Sequence, residues 1–224
     1  MASRPKRAKG RAPSGAPAAD PRDRVIDAFM ALVAGHGPHG VELADIARDA
    51  KVSLAELRAL YPGKGAILAD FAARIDRAVL EGGAVDDPGE ATRDRLFDVM
   101  MRRFDALAPY KPAIRRIARA AKTDPGLACV LHGLARRAQR WTFAAAGVRS
   151  SGGLGLVAAE GLVLVYGETM RTWLDDDSSD LGPTMATLDR ALRRGERAMG
   201  MLSGICAALP RFAGRFGRPR PAEG

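Results

Sequence analysis

The sequence predicts an all-α protein. Apolar residues recur at spacings of three and four along most of the chain, which places them on one face of a helix. No stretch shows the alternation of apolar and polar residues that is typical of a half-buried strand. Proline, glycine and aspartate fall between the apolar segments, where they end one helix and begin the next.

Two short helices joined by a sharp corner are predicted between Glu42 and Lys64. The corner runs from Ala50 to Ser53, and Ser53 is the predicted N-cap of the second helix. Glu56, three residues later, completes a capping box. The pattern therefore predicts a helix-turn-helix. The apolar stripes expected to pack together are Leu43, Ile46, Ala47 and Ala50 in the first helix, Val52 in the corner, and Leu54, Leu57 and Tyr61 in the second helix.

Further helices are predicted on both sides of this motif. An amphipathic helix with an apolar face from Val25 to Val33 ends at Gly35-His36-Gly37, and a long helix begins near Lys64. A linker rich in Gly and Asp follows at residues 81–89. Pro112, Pro125 and Asp124 mark later helix starts. The later helices are expected at about 90–108, 112–123, 125–146, 154–175 and 184–207.

The segment from Arg24 to about Leu80 resembles the DNA-binding domain of the TetR/AcrR family of transcriptional regulators. The matching residues, in the family's order, are Asp45-Ile46-Ala47, Val52-Ser53, Leu57, Tyr61-Pro62 and Lys64. The resemblance implies an N-terminal three-helix DNA-binding domain and a C-terminal helical domain for ligand binding and dimerisation. The expected organisation is a disordered basic tail at 1–20, the helix-turn-helix domain at 21–81, the helical domain at 90–209, and a second disordered basic tail at 210–224.

The resemblance also implies that the chain binds double-stranded DNA at a palindromic operator as a homodimer. Arg58, Ala59 and Leu60 would face the groove, while Tyr61 and Lys64, with Lys51 or Arg48, would hold phosphates. The full set of expected DNA-binding residues is Arg48, Lys51, Ser53, Leu54, Ala55, Arg58, Ala59, Leu60, Tyr61 and Lys64. The chain departs from the family at Ala55-Glu56 and at Arg58-Ala59-Leu60, where Gly-Thr and Tyr-His-His are common.

The charge of the motif differs from that of the whole chain. The formal net charge is +9, but the cations of Glu42 to Lys64 are balanced by as many anions. Five Lys and Arg against one Asp occupy residues 1–20, and four Arg against one Glu occupy residues 210–224. Two readings stay open for the N-terminal tail: an arm that enters the minor groove, or a solubilising extension.

In the resembled family the helical domain holds a small effector, and an apolar or amphipathic one is expected here. Bulky apolar side chains supply candidates for its pocket, although a stripe of Met and aromatic residues is also typical of ordinary core. These candidates are Phe97, Met100, Met101, Phe104, Trp141, Met170 and Trp173. Small residues near Leu154 indicate close helix contact, either within the chain or between copies.

A second resemblance supports an alternative function. The run from Trp173 to Leu181, with Thr184 and Leu188-Asp189-Arg190, is similar to the closing segment of the ubiquinone-biosynthesis lipid-binding family, which has a TetR fold. That resemblance implies a carrier of an isoprenoid-like lipid without specific DNA binding.

Other classes of function lack their sequence signals. His36, His39 and His132 show no metal-ligand spacing, and no nucleophile elbow or nucleotide loop occurs, so neither an enzyme, a metal site nor a cofactor is predicted. No apolar run reaches the roughly 20 residues of a membrane span. Cys129 and Cys206 are expected to be reduced thiols in the core, which favours a cytoplasmic protein.

Overall fold

The computed structural model describes residues 20–83, 89–148 and 152–213, and the side chains as far as residue 202. Within these ranges the chain forms nine α-helices and no strand, which confirms the predicted fold class. A single 3-10 turn, Ala108–Tyr110, precedes the sixth helix. The helices are α1 (Pro21–His36), α2 (Leu43–Asp49), α3 (Leu54–Leu60), α4 (Lys64–Glu81), α5 (Thr92–Leu107), α6 (Lys111–Ala120), α7 (Pro125–Ala145), α8 (Gly152–Asp175) and α9 (Gly182–Ala213).

Most predicted helix ends are confirmed by their caps. Gly37 ends α1 with a φ of 74°, a left-handed conformation that glycine adopts without strain. The Asp124 side chain accepts a hydrogen bond of 2.9 Å from the Leu127 amide at the start of α7. Local chemistry therefore fixed these boundaries.

The end of α9 differs from its prediction. The helix continues to Ala213, so residues 210–213, assigned above to a basic tail, are helical. The predicted helix ends near residue 207. Pro210 disfavours a helix interior, because it lacks an amide donor and its ring crowds the preceding turn, but the surrounding Ala and Leu residues favour the helix. Residues 1–19, 84–88 and 214–224, which include most of both tails and the centre of the linker, lie outside the described residues.

One apolar core connects the helices on both sides of the linker. In the N-terminal part α1 contributes Val25, Phe29 and Val33, which are almost fully buried against Ile46 of α2 and Leu57 of α3. The same cluster continues through α4 and α5 into α8 and α9. Helix α1 also packs on α6, and α4 packs on both α5 and α7. The helices of the body therefore pack directly on α1 and α4, which flank the helix-turn-helix.

The α8–α9 connection is held by a buried carboxylate. Asp176 accepts hydrogen bonds from the amide and hydroxyl of Thr184, at 3.0 and 2.5 Å, and from the amide and hydroxyl of Ser178. These hydroxyl and amide donors hold the pKa of Asp176 down to about 2. Lys111 of α6 donates to the Asp176 carbonyl at 2.5 Å. The segment that resembles the lipid-binding family therefore has a structural role: it connects α8 to α9 and bonds to α6.

Helix α8 differs from the expectation that no segment reaches the length of a membrane span, because by length and composition alone it is long and apolar enough to cross one. It packs against α7 and α9. Its Glu168 forms an ion pair with Arg194 of α9. Because such a helix also occurs in the core or interface of proteins without a span, the finding is weak support for membrane insertion.

Candidate functional site

The helix-turn-helix has the predicted backbone. Helix α2 ends at Asp49, the Val52 amide donates back to the Ala47 carbonyl at 3.0 Å, and α3 begins at Leu54. Lys51 occupies the corner with a φ of 56°, which is left-handed for a residue with a side chain. Ile46, Ala47, Ala50 and Leu57 are buried between the helices.

Two residues of the predicted apolar stripes lie outside this interface. Leu43 is 41% exposed and Leu54 is 57% exposed, because both stand in the first turn of their helices, beyond the crossing point. Leu54 was also predicted among the DNA-binding residues, and its exposure is consistent with that prediction. Ser53, Ala55, Arg58 and Ala59 are exposed as well, whereas Leu60 is only partly exposed.

The capping box of α3 is complete. The Ser53 hydroxyl accepts from the Glu56 amide at 3.1 Å, and the Glu56 carboxylate accepts from the Ser53 amide at 2.7 Å. These bonds, with the nearby charge of Arg24, lower the pKa of Glu56. The carboxylate is thereby held back at the helix start instead of extending along the exposed face.

Lys64 has a different position from the one its sequence pattern predicts. Its ammonium donates to the backbone carbonyls of Val41 and Pro38, at 2.8 and 3.1 Å, in the loop before α2. Those carbonyls lie outside any helix and need donors, so Lys64 joins the start of α4 to the α1–α2 loop. The ammonium is thus bonded within the fold, and its phosphate contact stays a prediction.

Tyr61 is likewise an internal residue. It is 4% exposed, its hydroxyl donates to Asp70 at 2.5 Å, and the Arg22 guanidinium lies 5.2 Å from its ring. Burial and the neighbouring carboxylate raise the pKa of Tyr61. The phenol thus fastens α3 to α4 and is not available for a phosphate in this arrangement.

The cations of the motif divide into paired and available ones. Arg48 bonds to Asp45 at 2.7 Å and to Asp49 at 3.3 Å. Among the described residues, Arg58 and Lys51 form no ion pair or side-chain hydrogen bond, and both are exposed. The α4 helix, which follows the motif in the chain, has Gly63 at its N-cap and therefore no side-chain cap. The exposed face of the motif therefore offers two uncommitted cations and a helix N-terminus.

A cavity of about 410 Å³ lies among α4, α5, α6, α7 and α8. Of the seven predicted pocket residues, Met170 lines it. Trp141 is 48% exposed on α7 and lies outside the cavity. Met100, Phe104 and Trp173 are fully buried in the core, and Phe97 and Met101 pack against that core. Most of the predicted bulky residues pack in the core, and the cavity is bordered largely by smaller aliphatic residues.

Sequence reasoning missed most of the wall. Ile75 of α4, Ile117 of α6, Leu134 of α7 and Gly167 of α8 contribute to it, together with the charged Arg103 of α5. Arg103 is 3% exposed and bonds to Asp76 at 2.7 Å. Arg103 lies three residues after Met100, and this spacing places it on the buried face of α5. Because arginine is usually exposed, sequence patterns alone assign such a position to the surface.

Both cysteines were expected in the core, and for Cys129 that expectation is wrong. Cys129 is exposed near the start of α7, and the Cys206 side chain lies beyond the last described side chain. The described residues hold no cluster of His, Cys, Asp or Glu that could bind a metal ion. His39 and His132 instead lie 3.5 Å from Asp124 and Glu160.

Several solved structures with the same arrangement of helices are described as TetR-family transcriptional regulators. The chain has the TetR fold. A TetR transcriptional regulator from Nitrosomonas europaea ATCC 19718 superposes with a TM-score of 0.62 at 23% identity, over 78% of this chain and 97% of that one. A TetR regulator from Rhodococcus sp. RHA1 gives 0.55 at 20% identity, over 78% and 95% of the two chains. One from Streptomyces coelicolor gives 0.53 at 17% identity, over 85% and 89%.

The sequence matches no protein-family model and no curated protein. At these identities the structural likeness establishes the TetR fold of the chain. Within that fold, α2 and α3 form the helix-turn-helix, and the cavity lies in the helical body.

Proposed function

We propose that this protein is a cytoplasmic, DNA-binding transcriptional regulator that binds a palindromic operator as a homodimer and responds to a small ligand. The observation that carries the proposal is the exposed face of α3, where Ser53, Leu54, Ala55, Arg58 and Ala59 stand clear of the core. A rigid recognition helix with a complete capping box can enter a major groove without reordering.

Arg58 is the proposed base or phosphate contact of this surface. Its guanidinium is exposed and, within the described residues, uncommitted, so binding DNA would break no internal ion pair. An arginine can donate two parallel hydrogen bonds to guanine or to a phosphate. Lys51 and the uncapped start of α4 would hold the flanking phosphates.

The dimer is proposed to form through α8 and α9. On α8, Leu154, Val157 and Leu164 lie on one stripe and are 39%, 47% and 74% exposed. Met201 of α9 adds a further exposed apolar side chain at 67%. A second copy of the chain would remove this stripe from water, and closed twofold symmetry would present two α3 helices to one operator.

Ligand response is proposed to travel through α4 and α6. Both helices contribute to the cavity wall, α4 directly follows α3, and α6 packs on α1. A ligand that shifts either helix would change the separation of the two recognition helices in the dimer. Because both must fit successive grooves, the ligand would shift the population away from operator-bound dimers.

The test is selection of bound duplexes from source-genome fragments, followed by fluorescence anisotropy on the selected site. Arg58→Ala should weaken operator binding at least tenfold, because one lost contact recurs in both subunits. Arg140→Ala, which removes an exposed cation of α7, is the matched control and should bind like the unaltered protein. If both variants bind every duplex with the same affinity, and that affinity falls with salt, then α3 does not recognise a specific DNA sequence.

The dimer is tested on the same proteins by sedimentation. Leu164→Arg puts a charge into the apolar stripe and should yield monomers that bind the operator weakly. Val130→Arg changes an apolar residue of α7 that is 43% exposed and should leave the dimer intact. A co-purified isoprenoid in native mass spectra, with no selected duplex, would instead favour the lipid-carrier alternative.

A further inference from the structure

The cavity contains one hydroxyl that no described residue engages. Tyr166 of α8 lines the wall and remains partly exposed although it lies among five helices. Its hydroxyl forms no hydrogen bond with the described part of the chain, whereas the other described tyrosines, Tyr61 and Tyr110, bond to Asp70 and Arg74. A phenol hydroxyl that is accessible from an apolar cavity is available to form a hydrogen bond with a bound ligand.

The aromatic packing fixes the direction of this phenol. The Tyr166 ring stacks on Phe104 with centroids 5.9 Å apart and planes 21° apart, and Phe104 in turn contacts Trp173 at 5.5 Å. Phe104 is fully buried and Trp173 is 1% exposed, so both rings are packed on all sides. The position of the Tyr166 ring is therefore set by packing before any ligand binds, which lowers the entropic cost of a hydrogen bond from its hydroxyl.

The neighbouring charges favour a neutral ligand group at this point. Arg103, the buried cation of the wall, is compensated by Asp76 at 2.7 Å and also donates to the Ala138 carbonyl at 3.4 Å. Burial raises the pKa of Tyr166 to about 12, while Arg103 and Asp76 act on it in opposite directions. The phenol thus stays protonated and can donate. The charge of Arg103 is balanced by Asp76, so the buried wall has no net positive charge to hold a carboxylate, although the Arg103 Nε–H has no partner among the described residues.

The remaining polar wall residues lie at the rim. Arg171 is exposed, and His132 lies 3.5 Å from Glu160, which also pairs with Arg136. An ion pair formed there would be largely solvated and would contribute little. The rest of the lining is aliphatic or aromatic, and a cavity of about 410 Å³ has the size that small organic ligands occupy.

We propose that the cavity recognises a neutral, largely apolar molecule that carries a hydrogen-bond acceptor oxygen, such as a ketone, quinone, ester or lactone, and that the Tyr166 hydroxyl donates to that oxygen. The inference rests on the ligand-binding part of the proposed function and defines its ligand class. It assigns Tyr166 as the specificity-determining residue.

Gly167 supplies a way to close the cavity without disturbing the fold. It lines the wall next to Tyr166, and a Cβ built on it meets no heavy atom within 4 Å outside its own helix. A larger side chain would therefore enter the empty space instead of pressing on a neighbour. Glycine within a helix is also unfavourable, so Gly167→Leu should keep or raise thermal stability.

The test measures binding of three probes of matched shape to the full chain by fluorescence: acetylnaphthalene, ethylnaphthalene and naphthoic acid. The neutral ketone should bind about five- to tenfold more tightly than the hydrocarbon, as expected for one buried hydrogen bond. Tyr166→Phe should remove this preference and leave the affinity for ethylnaphthalene unchanged. Gly167→Leu should abolish binding of all three probes.

Other outcomes would overturn the inference. Tightest binding of naphthoic acid, lost in Arg171→Gln and retained in Tyr166→Phe, would identify a carboxylate held at the rim. Unchanged binding in Gly167→Leu would place the probes elsewhere. These measurements contain no DNA. If the protein selects no specific operator, the proposed DNA binding fails while the ligand assignment can still hold, and the reverse is also possible.

Discussion

Two arginine–aspartate pairs in this molecule have the same length and opposite surroundings. Arg48 and Asp45 on the helix-turn-helix are 2.7 Å apart, with side chains 68% and 34% exposed. Arg103 and Asp76 beside the cavity are also 2.7 Å apart, with side chains 3% and 9% exposed. The surface pair competes with water and salt, whereas the interior pair cannot be hydrated if either member is lost. Burial, and not distance, decides what each pair contributes.

The largest expected effect comes from breaking the interior pair. Asp76→Ala leaves a guanidinium buried without its counter-charge and should lower the free energy of unfolding by about 3–5 kcal/mol. Asp45→Ala, the matched surface change, should cost less than about 1 kcal/mol. Urea denaturation of both variants at the same salt concentration measures the difference.

A double substitution shows whether the loss is caused by the orphaned charge. Asp76→Leu with Arg103→Met removes both charges and should recover most of the stability that Asp76→Ala loses. If Asp76→Ala is no worse than Asp45→Ala, water in the cavity hydrates the arginine, and the contrast between the two regions disappears.

A third carboxylate, Asp176, sharpens the comparison because it is buried among hydroxyl and amide donors instead of a cation. Asp176→Ala should cost about 2–3 kcal/mol, since it leaves the buried Thr184 hydroxyl and amide without their acceptor. This is smaller than the loss at Asp76, because no uncompensated charge remains.

The same residue gives the protein a defined acid sensitivity. The folded pKa of Asp176 is about 2, below the value of about 4 for an unfolded chain. A depressed pKa stabilises the fold above the unfolded value, and the contribution is lost as the pH falls toward the folded one. The stability difference between the unaltered protein and Asp176→Asn should therefore be constant near neutrality and shrink between about pH 4 and pH 2. A difference that stays constant down to pH 2 would contradict this.

The two regions also differ in how far the sequence predicts them. The helix-turn-helix depends on neighbours in the chain: Ser53 with Glu56, Gly37 after His36, and a corner of four residues. Local spacing was enough to place these elements. The roles of Lys64 and Tyr61 depend on partners at Val41 and Asp70, which spacing alone does not connect.

The cavity wall depends almost entirely on such distant contacts. Arg103 meets Asp76 across 27 positions and the Ala138 carbonyl across 35. Apolar bulk drew the sequence prediction to Phe104 and Trp173, which instead support the residue that faces the space, Tyr166. A cavity exists where small side chains from several helices fail to meet, and no pattern within one helix encodes that.

The smallest expected effect returns to the helix-turn-helix corner and separates folding from binding there. Lys51 has a left-handed φ of 56°, which costs a residue with a Cβ about 1 kcal/mol. Lys51→Gly removes that strain but adds freedom to the unfolded chain, so its net effect on stability should lie between about zero and 1 kcal/mol in favour of the fold. Lys51→Ala keeps the strain and should not stabilise the fold.

Both variants lack the ammonium. On the operator, both should therefore lower the slope of log affinity against log salt concentration by about two for a dimer. Thermal unfolding and anisotropy at several salt concentrations distinguish the two contributions, and an unchanged salt slope would remove Lys51 from the proposed phosphate contacts.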